Sequence, residues 1–153
     1  MISGVLVPFI ESEIVMTDTP VRTPRELVEE MFNGLAARDS DAFASWLAPD
    51  AVFEMPFTLE GTPERVEGRE AIRDHLAQRR AATTGIEVHG IHPQVYETAD
   101  PELLFVENEV DMTLPGEPRA RIRTSVNVVR VRDGKVVLFR DYMNAAVLAR
   151  LVR

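Results

Sequence analysis

The segment VRDGKVVLFRDYMN, residues 131–144, decides the fold because it contains a turn and the strand that follows it. The tripeptide RDG at residues 132–134 is typical of a three-residue hairpin loop with glycine in the left-handed bulge position. The strand after this loop is mostly apolar, yet it carries an acid, Asp141. Such an acid is solvated, paired with a cation, or held in a pocket for chemistry, and the rest of the chain must distinguish these cases.

The chain as a whole reads as helices followed by strands, an order that is typical of the α+β class. Thr23 and Glu26 form a capping box around Pro24 and predict the start of a helix. Helices are predicted over residues 24–38, 40–47 and 69–80, with a short closing helix over 145–151. Strands are predicted over residues 51–57, 86–97, 103–114, 119–132 and 135–143, with a loop over 58–68.

Two hairpin turns predict which strand positions face each other. A turn centred on Gly116 sets two pairs of opposite charges across the ladder, which is a stabilising arrangement: Asp111–Arg121 and Glu109–Arg123. The loop at 132–134 sets two further pairs: Ser125–Asp141 and Asn127–Phe139. One shared face of the sheet is therefore predicted for Glu109, Asp111, Arg121, Arg123, Ser125, Asn127 and Asp141. A slip of one residue in either turn would undo this arrangement.

Composition and charge restrict the expected partners. A length of 153 residues suits one domain with one core. The formal net charge of −8 disfavours nucleic acid, which needs a basic face. The absence of cysteine excludes disulfides and thiolate chemistry and is consistent with a cytoplasmic protein. No apolar run approaches the length of a membrane span, so no membrane partner is expected.

The N-terminal stretch differs from the rest of the chain. It lacks the basic region and the small-residue cleavage site of a signal peptide. Residues 1–15 are interpreted as an extension outside the core fold, and residues 16–153 as a single domain.

Neither a metal nor a cofactor is expected. His89 and His92 lie in a predicted strand, where their spacing directs the two rings to opposite faces, and no acid completes a ligand set. The sequence contains no phosphate loop and no dinucleotide fingerprint.

Three segments resemble a known family: NGLAARDSDAFASWLAPDAVFEMP at 33–56, GREAIRDHL at 68–76, and the segment 131–144. They resemble the nuclear transport factor 2-like superfamily, which includes ketosteroid isomerases, SnoaL-type polyketide cyclases, limonene epoxide hydrolases and phenazine-biosynthesis A/B proteins. The resemblance implies three N-terminal helices packed on a curved antiparallel sheet, forming a cone-shaped α+β barrel around an apolar pocket. It also implies a homodimer packed through sheet faces. Because this fold hosts many chemistries, the resemblance does not fix the reaction.

Only some of the functional residues of these relatives are present at the matching positions of this sequence. Met31 and Asn127 occupy the positions of the tyrosine and the protonated aspartate of ketosteroid isomerases, so steroid isomerisation by that mechanism is not expected. The phenazine A/B pattern is more similar, because its acid matches Asp141 and its helix-borne histidine matches His75. Its serine one turn further is replaced by Arg79.

The Asp–Arg–Asp group of limonene epoxide hydrolases is also matched in part. Its two aspartates resemble Asp111 and Asp141, whereas Glu109 stands at the arginine position. Arg121 or Arg123 on the next strand is a candidate replacement for that arginine.

Asp141 and His75 are the predicted catalytic residues. Inside an apolar cone, burial raises the pKa of Asp141 and makes it a competent acid or base near neutral pH. His75, on the inward face of the third helix, is predicted to exchange protons with it across the pocket. The structural alternatives stay open: Asp141 is balanced by Arg123 or Arg140, and His75 is a hydrogen-bonded core residue.

Further residues are predicted to bind the substrate. Asn127 and Arg123 would hold a carbonyl, enolate or carboxylate oxygen. Glu54 is either a second pocket acid or a surface charge, and Asp111 is expected near the rim or in a solvated ion-pair ladder. The large side chains predicted to form both core and pocket wall are Met31, Trp46 and Phe57.

The expected function is cofactor-free acid–base catalysis on a small hydrophobic secondary metabolite. Cyclisation, isomerisation, condensation and epoxide opening are all compatible with these residues. The alternative is a non-catalytic small-ligand-binding or dimeric interaction module of the same fold.

Overall fold

The computed structural model describes residues 21–151, so the predicted extension at 1–15 lies outside the described residues. The helices are α1 (Pro24–Asn33), α2 (Ser40–Ser45), α3 (Arg69–Ala82) and α4 (Ala145–Leu151). The strands are β1 (Leu47–Glu54), β2 (Arg65–Glu67), β3 (Glu87–Glu97), β4 (Leu103–Thr113), β5 (Ala120–Arg132) and β6 (Lys135–Met143). They form one sheet in the order β2-β1-β6-β5-β4-β3.

The α+β prediction is confirmed: a few helices pack on a six-stranded, curved and unclosed sheet. The sheet is antiparallel except where β1 runs parallel to β6. The short strand β2 lies within the predicted loop 58–68, where it pairs with β1. No helix of the described residues is both long and apolar enough to cross a membrane.

The first helix starts as predicted and ends earlier. Thr23 Oγ1 accepts the backbone N–H of Glu26 at 3.2 Å, and the Glu26 carboxylate accepts the N–H of Thr23 at 2.9 Å. This reciprocal cap satisfies two N–H groups that the helix leaves unpaired. The α-helix ends at Asn33, and a 3-10 turn over Gly34–Ala37 leads to Arg38, whose φ of 52° is left-handed.

The main core lies between the helices and β1 and β6. Phe139 is its centre: its ring stacks on Phe53 with centroids 5.6 Å apart and on Phe32 at 5.9 Å, and it meets the edge of Phe43 at 5.3 Å. A second, smaller cluster forms around Val110, Met112 and Leu114. The two clusters are separate, and a cavity lined by residues of both lies between them.

The hairpin between β5 and β6 differs from the predicted one. Asp133 and Gly134 both have positive φ, 52° and 73°, so they form a two-residue turn of the type that Asp-Gly favours. Val137 is then an extra residue, because the register shifts between Val131↔Val136 and the next pair. Turn and bulge together move the register by two residues, so Asp141 keeps its predicted face and lies opposite Asn127 rather than Ser125.

A second bulge corrects the prediction of a single polar face. The pairs Asp111–Arg121 and Glu109–Arg123 occur as predicted. The register then shifts, so that Asn108 faces Ser125 and Thr124 is the extra residue. Since side chains alternate between faces, this one extra residue leaves Arg121 and Arg123 on one face of the sheet and moves Ser125 and Asn127 to the other.

Candidate functional site

The space between the two core clusters is a cavity of about 300 Å³ that opens to solvent. Its walls are mainly apolar and come from α1, α2, α3, α4 and the inner face of the sheet: Phe32, Phe43, Phe53, Leu76, Ile86, Val88, Ile91, Val110, Met112, Phe139, Leu148 and Leu151. A small number of polar side chains interrupt this lining. Such a cavity has the size and composition typical of small-molecule sites.

Asp141 lies in the cavity wall next to Asn127, as its predicted face requires. Asn127 Nδ2 donates to Asp141 Oδ1 at 3.0 Å, and Ser125 Oγ donates to Asn127 Oδ1 at 3.0 Å. Ser125 thereby fixes which end of the Asn127 amide faces the acid. Among the described residues, Oδ2 of Asp141 receives no side-chain donor, so this oxygen is available to a ligand.

Burial raises the pKa of Asp141 to about 6, because surrounding protein removes water from the charged form. The positive charge of Arg79 and the hydrogen bond from Asn127 oppose this shift and are smaller. A carboxyl group with this pKa exchanges protons readily near neutral pH.

Arg79 is a cavity residue for which sequence analysis predicted no role. Its Nη2 donates to Met143 Sδ at 3.0 Å and its Nη1 to Met55 Sδ at 3.4 Å. Met143 and Asp141 are two residues apart on β6 and share a face, so Arg79 lies over the neighbour of the acid. The signal in the sequence was its position on α3, one turn beyond His75 and in line with the cavity-lining Leu76.

Asn108 is a second residue that sequence analysis missed. It is 5% exposed, its Nδ2 donates to Thr124 Oγ1 at 3.5 Å, and its buried Oδ1 has no partner among the described residues. The signal was strand alternation: Asn108 falls between the buried Val106 and Val110 on one face of β4. It is a polar group inserted into an otherwise apolar wall.

The placement of His75 differs from the expectation. It does not line the cavity, and its ring packs on Phe53 with centroids 6.0 Å apart. Its Nε2 is buried without a partner among the described residues. Burial, assisted by the charge of Arg79, lowers the pKa of His75 and favours the neutral ring. A position facing Asp141 across the pocket is therefore wrong, and a proton-transfer role for His75 stays a prediction.

The three charged residues predicted to bind substrate lie outside the cavity lining. Glu54 accepts from Arg65 at 2.6 Å and from Arg140 at 2.7 Å. Asp111 pairs with Arg119, whose guanidinium lowers the pKa of that acid. Arg123 is 65% exposed in its side chain and pairs with Glu109. These placements favour the interpretation that the three residues form ion pairs on the outer face of the sheet, because each of them already has a partner of opposite charge there.

The large apolar residues are also displaced from the predicted wall. Met31 is 1% exposed and belongs to the main core rather than the cavity surface. Trp46 packs against that core, with the guanidinium of Arg22 5.6 Å from its ring centroid. Phe57 is 64% exposed and lies 5.4 Å from the ring of Tyr142. Met31 and Trp46 therefore belong to the main core and its edge rather than to the cavity wall.

The described residues bring together no group of three or more histidine, aspartate or glutamate side chains able to hold a metal ion. The arrangement instead offers one acid of raised pKa, an amide that fixes it, and a neighbouring guanidinium in an apolar cavity. This combination is suited to moving a proton while a cation stabilises developing negative charge.

The helices and the curved six-stranded sheet enclose an apolar cavity, and this arrangement defines the class of α+β fold to which the chain belongs. Residues 28–139 match the SnoaL-like domain family, and the chain belongs to that family.

Relatives and solved structures agree with this membership. An uncharacterized PhzA/B-like protein of Pseudomonas aeruginosa is 30% identical over 120 residues, which cover 78% of this chain and 83% of the relative. A Bacillus subtilis crystal structure named "Putative Isomerase" has 27% identity and a TM-score of 0.71, covering 84% of this chain and 91% of its own. A phenazine biosynthesis-related protein from Pseudomonas aeruginosa has 21% identity and a TM-score of 0.63, covering 84% of each chain.

Two solved structures of the same fold hold small hydrophobic ligands. TerC was crystallised with polyporic acid and matches with a TM-score of 0.66 at 20% identity. A Mycobacterium tuberculosis protein in complex with estradiol-17β-hemisuccinate matches with a TM-score of 0.61 at 18% identity. At these identities the likeness concerns the fold alone.

Proposed function

We propose that this protein is a cofactor-free acid–base enzyme in which Asp141 moves a proton on a small hydrophobic substrate. The observation that carries the proposal is the position of the Asp141 carboxyl group. One of its oxygens is fixed by Asn127 and the other is available in a cavity of about 300 Å³. Substrate and acid therefore meet in a site from which much of the water is excluded.

A pKa of about 6 makes Asp141 mostly ionised at neutral pH, so its first step is the removal of a proton from the substrate. The protonated acid then returns that proton to another atom of the substrate. Isomerisation, cyclisation, condensation and epoxide opening all contain such a transfer. The proposal assigns the stabilisation of a developing oxyanion to Arg79, since Arg123 lies on the other face and the Asn127 amide already donates to Asp141.

The comparisons support this class of chemistry without fixing the reaction. The relatives include an uncharacterized PhzA/B-like protein, a phenazine biosynthesis-related protein and a protein named "Putative Isomerase". Ligands held by other members of the fold are hydrophobic ring compounds carrying oxygen, which fits an apolar cavity with few polar groups.

We also infer that the protein forms a homodimer through the outer face of its sheet. Of the five large apolar side chains that are exposed among the described residues, three lie on strands of the sheet and a fourth is beside it: Tyr96 (43%), Phe105 (39%), Val126 (37%) and Phe57 (64%). Tyr96 pairs with Phe105 across the ladder and Val126 with Tyr142, whose ring packs on Phe57. A partly apolar patch on one sheet face is typical of an interaction surface.

The exchange of carbon-bound hydrogen tests the catalytic proposal without knowledge of the natural substrate. The probe is 2-tetralone, a hydrophobic bicyclic ketone, incubated in D₂O at pH 7.5 and analysed by mass spectrometry. Wild-type protein should accelerate deuterium uptake over buffer, and Asp141→Asn should abolish the acceleration while NMR still detects ketone binding. Asp111→Asn, which removes an ion-paired acid on the outer face, is the control and should exchange like wild type.

The same experiment decides between the enzyme and the alternative, a non-catalytic ligand-binding module. A binding module would bind 2-tetralone without accelerating exchange, and Asp141→Asn would change its affinity alone. Exchange that is equally fast in wild type and in Asp141→Asn would refute the role of the acid.

A further inference from the structure

The arginines of this chain divide into two groups by their partners. Among the described residues, every arginine outside the cavity lies within ion-pair distance of a carboxylate. Arg38, Arg79 and Arg80 have no such partner there, and all three line the cavity. In a chain of net charge −8 this distribution is unexpected, because acids are in excess. The arginines that lack a carboxylate partner among the described residues are therefore concentrated in the lining of the cavity.

The contacts of Arg79 leave its hydrogen-bonding capacity poorly used. Both contacting nitrogens donate to thioether sulfur atoms, those of Met55 and Met143, and sulfur is a weak acceptor. A guanidinium presents several donors in a planar fork that matches the two oxygens of a carboxylate. The side chain is thus held in place by weak hydrogen bonds to sulfur, and a carboxylate oxygen would be a stronger acceptor for the same donors.

Arg38 is fixed beside Arg79 through Thr83. Its Nη2 donates to Thr83 Oγ1 at 2.7 Å, and that hydroxyl donates to the backbone oxygen of Arg79 at 2.9 Å. Burial lowers the pKa of Arg38, and the charges of Arg80 and Arg79 add to this effect. The three cations therefore repel one another in a partly desolvated site, and a bound anion would relieve that repulsion.

We propose that the substrate carries a carboxylate, which Arg79 and Arg38 bind while its hydrophobic body occupies the cavity. This inference rests on the proposed function for the reaction, and it adds the substrate class. Arg79 lies over Met143, and residues two apart on a strand are about 7 Å apart. A carboxylate on Arg79 thus brings the carbon atoms next to it within reach of Asp141, where a proton can be removed.

A carboxylate fits this site better than a phosphate does. Asp141 is largely ionised above pH 6, and its negative charge is close enough to influence Arg79. A second negative charge on the ligand would increase repulsion with this acid. Apart from Arg80 and a few hydroxyl and amide side chains, the remaining walls are apolar, which suits a ligand with one small anionic group on a hydrophobic body.

A matched pair of probes tests the inference: 1-naphthoate, which carries the carboxylate, and 1-naphthamide, its neutral analogue. Isothermal titration calorimetry at pH 7.5 and low salt should give wild type at least tenfold tighter binding of the naphthoate, a difference of about 1.4 kcal/mol. The preference for naphthoate over naphthamide should fall in Arg79→Gln. In the double variant Arg38→Gln/Arg79→Gln the two probes should bind with equal affinity. Unchanged naphthamide affinity shows that these variants are folded.

Arg73→Gln is the control, since Arg73 is on the same helix and pairs with Glu70. It should keep the preference for naphthoate. Equal affinity of the two probes for wild type, no naphthoate binding at millimolar concentration, or a preference that persists in the double variant would each overturn the proposal. Because 2-tetralone lacks a carboxylate and the calorimetry needs no turnover, this inference and the catalytic proposal can fail independently.

Discussion

Replacement of Asp141 by asparagine should make the protein more stable at alkaline pH. The two side chains have the same shape, and the asparagine oxygen can still accept the hydrogen bond that Asn127 Nδ2 donates to Asp141 Oδ1. The variant removes only the charge. Since burial is the largest cause of the raised pKa, the charged carboxylate is less favourable in the folded state than in water.

The size of the effect follows from the shift of the pKa from 3.8 to about 6. The folded state binds the proton more tightly than the unfolded state, so the contribution of Asp141 to stability is fully present below pH 3.8. It is lost as the pH rises through 6. At pH 8 the loss is about 3 kcal/mol, from 1.36 kcal/mol for each unit of the shift. The gain from Asp141→Asn should therefore be about 3 kcal/mol at pH 8, or about 10 °C in Tm, and roughly 1 kcal/mol near pH 4.5.

Urea denaturation followed by circular dichroism at a series of pH values measures this difference. Asp111→Asn is the control of opposite sign: Arg119 lowers the pKa of Asp111, so that acid stabilises the fold when it is ionised and its replacement should give no gain at pH 8. An Asp141→Asn variant that is folded but no more stable than wild type at pH 8 would show that the carboxylate is well solvated. Burial would then not raise the pKa of Asp141, and its proposed role as a base near neutral pH would be refuted.

Three further changes test other parts of the structure. Gly134→Ala should cost about 1 kcal/mol in urea denaturation, because Gly134 has φ +73°; an unchanged midpoint would contradict the turn. Asn108→Leu should raise the Tm by several degrees, because it replaces a buried oxygen that has no partner among the described residues; a lower Tm would mean that this oxygen is satisfied in solution. Val126→Glu should convert the proposed dimer to monomer in sedimentation velocity, and a dimer that survives the change would place the interface elsewhere.

Local sequence patterns predicted the elements better than their registers. The capping box at Thr23 and the period of the strands gave the correct order of helices and strands, except for β2, which lies in the segment predicted to be a loop. Among the register shifts of the sheet, the bulges at Thr124 and Val137 were not predictable. A bulge depends on packing across neighbouring strands, and neither residue carries a local signal such as glycine. The bulge at Val137, together with the shorter turn, left Asp141 on its predicted face. The bulge at Thr124 placed Arg123 and Asn127 on opposite faces of the sheet, although one shared face had been predicted.

The same limits explain which site residues were predicted. Asp141 and Asn127 were placed correctly because a resemblance and a two-residue period both pointed to them. His75 was misplaced, since helical spacing identifies an inward face without distinguishing the core from the cavity next to it. The arginines that we propose to bind the ligand were not predicted, because whether a cation lacks a carboxylate partner is a property of the assembled fold rather than of any segment.

Phe139 and Asp141 share one face of β6, so the strand that anchors the aromatic core also carries the proposed catalytic acid. Leu148 and Leu151 of the short helix α4 also line the cavity. We therefore expect changes in that helix to alter which ligands bind while the face of β6 that carries Asp141 stays intact. Such an arrangement would let ligand preference diversify by mutation of one short helix, with little cost to folding.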